Sequence, residues 1–574
     1  MQESPHSAPR STPGGPGGPG GPGGPGGEAL SRLPGLSRLP GLSRRVFLGA
    51  AGGAALTGLL AACAGSTGGA GDTASAGGGS RTVPASPPGT PKTGGVLRAG
   101  SPPPPTAVDP VTMYDGSAIA IVQLVADYLI WLDRDFKLVP RLAEKWESEE
   151  GGRRWVFSLR EGVTFSDGTP LDAKAVKATF DRLLDPKSKS AAAAAFDSVL
   201  AEGGIGVRGD STVVFTLERA FSDFPYLVSA GNYNAVILKA DYAGDFTAKP
   251  VGTGPFLLES YDASSGAVFK RNPRYWEPGK PYLDGVRITF YADDQADLLA
   301  LQSGEIDTQI LSRPALVGPL KGLGGIVVDQ VQGTGLTAFT LRVDQAPFDR
   351  KEVRQAIAYA LDRPGVNAGV YDGIGALGND HLFAALFPAA PPDVPQRAKD
   401  PAKVASLLAA AGVEKLSFAL TYDPPSKDYA LTVQDQLKQV GIEVELDQRT
   451  SGDFYGGDQE KDTPWLFTPA NLVGWAGRAV PSQFVIPMVK SGGVWNGSKY
   501  ANPALDAATD AYDSATTDEE RRTQAAIIAK ALHEDVPVII AVWSGTVRAY
   551  AGERFTGVAA HPSSYVDFSS VSRL

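Results

Sequence analysis

Hydrophobic positions along the chain change their spacing from segment to segment, and the spacing predicts strands and helices in turn. Trp155, Phe157 and Leu159 occupy every second position, which is the period of a β-strand. After a turn at Glu161-Gly162, residues 163–165 are predicted to form a second strand. The dense turn signal that follows, Ser-Asp-Gly-Thr-Pro, separates these strands from a helical pattern.

Capping signals mark the starts of the helical patterns. Asp172 is placed to cap a helix whose apolar positions recur at helical spacing. Asp400 is followed by Pro401 at the first helical position, and Gly412 ends that pattern. Thr517 with Glu520 forms a capping box before a further helix. Alternating strands and helices of this kind predict an α/β fold with more than one lobe, because the chain of 574 residues exceeds one ordinary domain.

The amino-acid composition limits the classes of function that the protein can have. Hydrophobic residues make up 43% and charged residues 20%, which is typical of a soluble globular body. The net charge of −10 and the lack of a basic patch argue against nucleic-acid binding. The single cysteine and four scattered histidines offer no metal-ligand spacing, so neither a metal site nor a cofactor is predicted.

Catalytic motifs are weak throughout the sequence. Residues 204–209, Gly-Ile-Gly-Val-Arg-Gly, match the dinucleotide pattern on paper, but they lead into a strand at 212–217 where the motif demands a helix. We interpret them as a turn. Neither G-x-S-x-G nor H-E-x-x-H occurs. A pair of catalytic carboxylates among the 63 acidic residues stays open as an alternative at this point.

An export and anchoring signal is predicted near the start of the chain. Arg44 and Arg45 precede an uncharged, Gly/Ala-rich run and match the twin-arginine pattern. The run ends on Leu-Ala-Ala-Cys at Cys63, the sole cysteine, which resembles a bacterial lipobox whose cysteine is acylated and becomes the new N-terminus. The alternative is an ordinary apolar helix with a buried cysteine. Residues 1–62 are then a leader that is removed, and 63–93, rich in Gly and Ser, form a flexible tether.

Three motifs carry a resemblance to a known family. They are FSDGTPL at 165–171, GTGPF at 252–256 and RNPRYW at 271–276. In this order they resemble the family 5 extracellular solute-binding proteins of bacterial ABC importers, the peptide and nickel binders. The resemblance runs from about Gly94 to the C-terminus. These signature residues are expected to be architectural and to say little about the ligand.

The resemblance implies a type II periplasmic-binding-protein fold of two lobes joined by a hinge. Lobe I would comprise residues 94–125, 250–336 and 537–574, with a subdomain inserted at 126–249. Lobe II would span 337–536, with crossovers near Thr340 and Pro537. It also implies a non-enzymatic monomer that closes on a solute and delivers it to permease subunits with cytoplasmic ATPases. The protein would be lipid-anchored to the outer face of the cytoplasmic membrane.

The ligand is predicted from one further comparison. In peptide binders of this family a Gly-Trp stretch often continues with an aspartate that pairs with the peptide amine. Here Trp475 is followed by Ala-Gly-Arg478, so the aspartate is missing and an arginine stands nearby. Arginine suits carboxylate or phosphate, which points to an anionic group on the ligand; the alternative is a solvated loop residue.

Other candidate ligand residues stand in two segments: one follows the first predicted strand and turn, where cleft residues often lie, and the other stands just before the segment AVILKADY at 235–242. They are Tyr114, Asp115, Asn232, Tyr233 and Asn234. A short peptide is the predicted solute. An anionic small molecule or oligosaccharide on the same fold is the alternative, nickel is disfavoured by the scattered histidines, and a sensor or adhesion protein without a transporter also remains open.

Overall fold

The computed structural model describes residues 90–190, 192–196, 199–311, 318–387, 393–457 and 462–574. Arg44, Arg45 and Cys63, which carry the predicted export and lipid signals, lie outside these residues.

The strands of the described part are β1 (Val96–Ser101), β2 (Ile130–Leu132), β3 (Leu138–Pro140), β4 (Ala143–Glu149), β5 (Arg154–Leu159), β6 (Leu200–Arg208), β7 (Thr212–Leu217), β8 (Phe256–Asp262), β9 (Gly266–Arg271), β10 (Gly285–Phe290), β11 (Thr308–Gln309), β12 (Ile326–Leu341), β13 (Ala376–Leu377), β14 (Leu416–Tyr422), β15 (Ile442–Gln448), β16 (Ala470–Trp475), β17 (Val538–Ile539), β18 (Val542–Ala551), β19 (Phe555–Thr556) and β20 (Ser572–Arg573).

Helices alternate with these strands, as the sequence predicts. They are α1 (Gly116–Val125), α2 (Ala173–Leu184), α3 (Ala193–Phe196), α4 (Phe224–Leu227), α5 (Asp294–Gln302), α6 (Lys351–Ala360), α7 (Arg363–Val370), α8 (Pro401–Ala410), α9 (Lys427–Lys438), α10 (Ser451–Tyr455), α11 (Pro464–Phe467), α12 (Ser482–Met488), α13 (Pro503–Ser514) and α14 (Asp518–Asp535). The α/β fold class is confirmed.

One mixed sheet of 12 strands runs through the molecule. Its order is β15-β14-β16-β12-β18-β11-β1-β10-β9-β8, with β13 paired to β18 and β17 paired to β12. A second, antiparallel sheet, β4-β5-β7-β6, lies within residues 143–217. The predicted inserted subdomain at 126–249 therefore has its own sheet.

Buried side chains form two main cores. The first core draws on residues 97–310 and 550–571. The second core draws on residues 336–543 and consists of two adjoining clusters. This division resembles the predicted lobes, although the lobe boundaries themselves stay a prediction.

Strand β12 connects the two cores. Its first part, as far as Gln332, pairs with β18, and its last part, from Leu336, also pairs with β16. The pairing with β18 shifts register between Gln332 and Gly335, and such irregularities bend a strand. Thr340 and Pro537, the predicted crossovers, lie side by side, since the next residue, Leu341, donates its N–H to the Pro537 carbonyl at 3.1 Å.

The predicted helix caps are confirmed in detail. The carboxylate of Asp172 accepts from Ala175 N at the start of α2, and that of Asp400 accepts from Lys403 N at the start of α8. Thr517 and Glu520 form the reciprocal capping box of α14. These signals depend only on neighbouring residues, which is why they can be read from the sequence.

Two local predictions are wrong. Residues 163–165 form no regular strand, because the Ser-Asp-Gly-Thr-Pro turn folds back on them and Phe165 N donates to Thr169 O at 2.8 Å. Residues 204–208 belong to β6 and pair with β7, so only Gly209, with φ of 63°, lies in the turn. The strand predicted at 212–217 is confirmed as β7, and it stands where a dinucleotide motif requires a helix.

The family-like motifs are structural in this molecule. A Cβ on Gly252 would stand 2.2 Å from Val125 O, so the GTGPF turn packs main chain against main chain at the end of α1. The Asn272 amide donates to Gly254 O at 2.8 Å, and the Trp276 indole donates to the Asp127 carboxylate at 2.9 Å. Together these contacts join the motifs to the end of α1 and to Asp127 within the first core.

Candidate ligand site

The carboxyl-terminal half of β16 has an open main-chain edge. Strand β14 pairs with β16 only at Asn471 and Leu472, so residues 473–475 extend beyond it. Opposed residues of an antiparallel pair alternate between exchanging main-chain hydrogen bonds and pointing their N–H and C=O groups away from each other. Arg342 and Pro469 are hydrogen-bonded, since Arg342 N donates to Pro469 O. Five positions further along, Gly474 is therefore in a pair that is not hydrogen-bonded, and its N–H and C=O point away from β12. Gly474 is exposed, and no described atom lies within 4 Å of where its Cβ would be. This edge has the geometry that accepts an extended peptide.

An aromatic cluster flanks this edge. Trp475 lies 5.8 Å from Trp495 and 6.4 Å from Trp465 between ring centroids, and Trp465 lies 5.9 Å from Tyr455. The Tyr455 phenol lies near the main chain of Gly474 and borders the open edge. Trp475 is half-buried and also packs on Phe484, with ring centroids 6.4 Å apart.

The loop after β16, residues 476–481, is held from both sides. Gly477 approaches Thr334 of β12, and the Thr334 hydroxyl donates to the carbonyl of Arg478 at 2.7 Å. Ala479 and Val480 are buried against Leu132, Phe136 and Tyr226, which fall within the predicted inserted subdomain. Arg478 therefore lies where the two cores meet.

Two tyrosines of the first core, Tyr233 and Tyr565, lie near Arg478. Burial raises the pKa of Tyr233 and of Tyr565, and the Arg478 charge opposes this at both phenols, which places the three groups within electrostatic reach. The Tyr128 hydroxyl donates to Tyr233 O at 3.0 Å and fixes the main chain there. Of the predicted residues, the structure brings Arg478 and Tyr233 together.

Asn232 and Asn234 act within their own loop. The Asn232 amide donates to Leu227 O at 3.2 Å and its oxygen accepts from Asn234 N at 3.3 Å. The Asn234 amide donates to the carbonyls of Pro110 and Met113. Both side chains are buried. They position Tyr233 by holding the loop on which it stands.

Tyr114 and Asp115 lie at a different edge of the first core. Tyr114 is 59% exposed. Asp115 caps α1 by accepting from Ala118 N at 2.9 Å, and its second oxygen is buried without a hydrogen-bond partner among the described residues. Its charge acts on Tyr261 of β8. Within the described ranges, no contact joins this pair to Arg478.

Two residues that sequence reasoning missed support the site. Arg548, fully buried, donates to the main-chain carbonyls of Gln309, Ile310, Ser564 and Tyr565 and so places Tyr565. His561 stacks on Tyr565 with centroids 5.1 Å apart. No sequence motif identifies either residue. Both lie at the site only because residues 548–571, near the end of the chain, pack in the first core with residues 97–310.

His561 is held as a neutral ring. Its Nδ1 accepts from Ser563 N at 3.1 Å, so Nε2 carries the hydrogen that it donates to Leu132 O at 2.9 Å. Burial lowers the pKa of His561 to about 4. Beyond it lies an open cavity of about 350 Å³, lined by residues that include Trp131, Arg141 and Trp276.

Two reciprocal ion pairs cross between the cores on another side. Arg521 of α14 donates to both oxygens of Asp223 at 2.6 Å, and Arg219 donates to Asp513 of α13 at 2.9 Å. Both aspartates are buried. Each side thus supplies one arginine and one aspartate, and the two pairs hold α13 and α14 of the second core against the segment at 219–223 of the first core.

Neither a metal-binding cluster nor a membrane-spanning helix occurs in the described ranges. No group of three or more His, Cys, Asp or Glu side chains there is arranged to hold a metal ion. Nor is any helix in that part of the chain long and apolar enough to cross a membrane.

Comparison with known proteins identifies a family model and several relatives that this chain resembles. Residues 137–496 match the model of the bacterial extracellular solute-binding proteins, family 5. The chain is 28% identical over 411 residues to di/tripeptide-binding protein 1 of Pseudomonas aeruginosa, covering 65% of this chain and 74% of that one. It is 30% identical over 445 residues to protein XP55 of Streptomyces lividans, covering 72% and 77%.

A solved structure shows the same architecture. The oligopeptide-binding protein AppA from Bacillus subtilis, in complex with a nonapeptide, superposes with a TM-score of 0.67 at 22% identity. The match covers 84% of this chain and 100% of AppA. The fold implied by the motifs is thereby confirmed, and the family match spans more than half of the chain. The chain belongs to the family 5 bacterial extracellular solute-binding proteins.

Proposed function

We propose that this protein captures short peptides outside the cytoplasm and delivers them to a membrane permease with cytoplasmic ATPases. The open main-chain edge at Gly474, facing the first core across Arg478, is the observation that carries the proposal. An extended peptide would add to this edge as a further strand, because main-chain hydrogen bonds bind peptides with little regard to their side chains. Relatives with peptide-binding names support the same solute class.

Binding requires no chemistry in this proposal. Burial of the solute between the two cores, with the aromatic cluster of Trp465, Trp475 and Trp495 on one side, supplies the affinity. Closure of the lobes about β12 and β18 would exclude water from the peptide main chain and strengthen its hydrogen bonds. A monomer is sufficient for this action.

Native mass spectrometry of residues 64–574 tests the solute class. We expect the purified protein to retain or take up peptides of three to five residues from a random mixture, and to release them unchanged. Recovery of sugars alone, or of a metal ion alone, would overturn the peptide proposal. Shortened peptides among the products would indicate hydrolysis and overturn the assignment as a binding protein.

We further propose that Cys63 is acylated after export through the twin-arginine signal. Replacing Cys63 by Ser removes the thiol that a diacylglycerol would modify, so the variant is expected to lose incorporation of labelled palmitate and to leave the membrane fraction. Peptide binding should be unchanged. A Cys63→Ser protein that still incorporates the label would contradict the anchor at this residue.

Replacing both arginines of the pair by lysine gives the matched test of the export route. Arg44→Lys/Arg45→Lys keeps the charge, yet a receptor-read signal requires the arginines themselves. The variant is expected to accumulate inside the cell as precursor. Export at the normal rate would show that the pair is not the address.

A further inference from the structure

Arg478 is a half-buried arginine with no counter-ion among the residues that the structure describes. Arg363, Arg521 and Arg141, which are buried to a similar or greater degree, each contact a carboxylate. The fully buried Arg548 has no carboxylate partner among the described residues, but it donates to four main-chain carbonyls. No carboxylate among the described residues lies within ion-pair distance of the Arg478 guanidinium, and its Nε is buried without a hydrogen-bond partner there. A buried donor left unpaired costs about 1–3 kcal/mol, and more when it is charged. The position is therefore suited to a group that the chain does not supply.

The main chain holds this arginine in a fixed place. Thr334 is fully buried and bonds the Arg478 carbonyl at 2.7 Å. The next residue, Ala479, packs against Gly231 of the loop that carries Tyr233. The main chain at Arg478 is thus held between β12 and that loop, where the two cores meet.

The surrounding groups also favour an anion. Burial raises the pKa of Tyr233 and Tyr565, so both phenols keep their hydrogens at neutral pH. Arg548 adds a second positive charge behind Tyr565. The carboxylate that acts on Arg548, Asp329, is itself engaged by Arg134 at 3.0 Å and by Ala560 N at 2.8 Å.

We propose that the solute presents a carboxylate to Arg478, which binds it as a fork, with the Tyr233 hydroxyl donating beside it. Arg478 is then a specificity residue that selects peptides by a free carboxylate and not by a free amine. The inference rests on the proposed function, since it names the end of the peptide that anchors at Gly474–Arg478. Arginine is preferred over lysine for such planar, two-point recognition.

Three random mixtures of tri- to pentapeptides test this inference: unmodified, N-acetylated and C-amidated. Native mass spectrometry of residues 64–574 gives the fraction of protein that each mixture occupies. We expect the unmodified and acetylated mixtures to bind alike. Amidated peptides should bind about 10- to 100-fold more weakly unless they carry Asp or Glu, which would identify a side-chain carboxylate as the source.

Variants at Arg478 connect the preference to this residue. Arg478→Gln is expected to abolish the discrimination against amidated peptides and to weaken unmodified ones by about 10- to 100-fold. Arg478→Lys keeps the charge and loses the fork, so it should weaken binding less. Arg522→Gln, an exposed arginine of α14, makes the same change in net charge and should leave binding within about twofold.

The outcomes separate the two proposals. Protein that binds no mixture would overturn the peptide function itself. Protein that binds amidated peptides without acidic side chains as well as unmodified ones, or an Arg478→Gln variant that keeps the preference, would overturn the carboxylate inference alone. Strict dependence on a free amine would also overturn it and would return the site to amine recognition.

Discussion

Replacing Asp380 by Asn is expected to lower the free energy of unfolding by about 3–5 kcal/mol, a large loss for a single substitution. Asp380 is fully buried and accepts from Arg363 at 2.7 and 2.8 Å, with Arg397 at 3.2 Å. It also accepts from Ile540 N at 3.2 Å. The substitution leaves two buried guanidinium groups without a counter-charge, and the new amide turns a donor toward them.

Asp372→Asn is the matched control for this substitution. Both aspartates have positive φ, 57° at Asp380 and 50° at Asp372, a conformation that Asn adopts readily, so the backbone is unaffected in either variant. Asp372 pairs with Lys321 at 2.8 Å on the surface, where an ion pair contributes about 0–1 kcal/mol. Urea unfolding followed by tryptophan fluorescence compares the two. Equal losses would show that the buried charges of Arg363 and Arg397 need no partner.

The Asp380 cluster also shows how far the sequence predicts this molecule. Helices α2, α8 and α14 begin where their capping residues predict, because a cap involves side chains and N–H groups within one turn. Arg363, Asp380 and Arg397 meet through the packing of separate segments, and nothing in their spacing announces the contact. The same holds for the reciprocal pairs Arg219–Asp513 and Asp223–Arg521, which join residues almost 300 apart along the chain.

Some residues of the candidate ligand site could likewise be predicted from the sequence, and others could not. The Gly-Trp stretch is recognisable by its resemblance, so Trp475 and Arg478 could be named from the sequence. Tyr233 could be named from its place just before the segment AVILKADY. Tyr565 and Arg548 could not be named, because their positions depend on how β18 and the C-terminal segment return to the first core. The error at 163–165 has a similar origin, since a strand needs a partner and the local turn occupies those groups instead.

Replacing Asp297 by Asn is expected to change the free energy of unfolding by a similarly large amount, but to raise it. This carboxylate of α5 faces β1 and is 4% exposed. Gln309 donates to one of its oxygens at 3.1 Å, and the other oxygen, packed against Gly100, has no hydrogen-bond partner in the described part of the chain. Burial raises the pKa of Asp297 to about 7, with the nearby charge of Asp294 adding to the rise.

The raised pKa makes the native protein less stable as the pH increases. The native state binds the proton more tightly than the unfolded chain, whose aspartate has a pKa of about 3.9. This group therefore favours folding fully below that value, and its contribution falls as the pH rises from about 4 to 7. Asp297→Asn keeps the acceptor for Gln309 and does not titrate. It is expected to match the wild type near pH 4 and to exceed it at pH 8 by up to about 4 kcal/mol.

Asp293→Asn provides the control on the same helix. Asp293 is exposed and caps α5 through Ala296 N at 2.8 Å, and Asn caps a helix as well as Asp does, so its free energy of unfolding should follow the wild type at each pH. Urea unfolding at several pH values between 4 and 8 measures all three proteins. An Asp297→Asn variant less stable than the wild type at pH 8 would mean that hydrogen bonding to the ionised carboxylate outweighs its desolvation. A gain at pH 8 that disappears at pH 4 is the result that desolvation requires, because only the charged form loses solvation in the core.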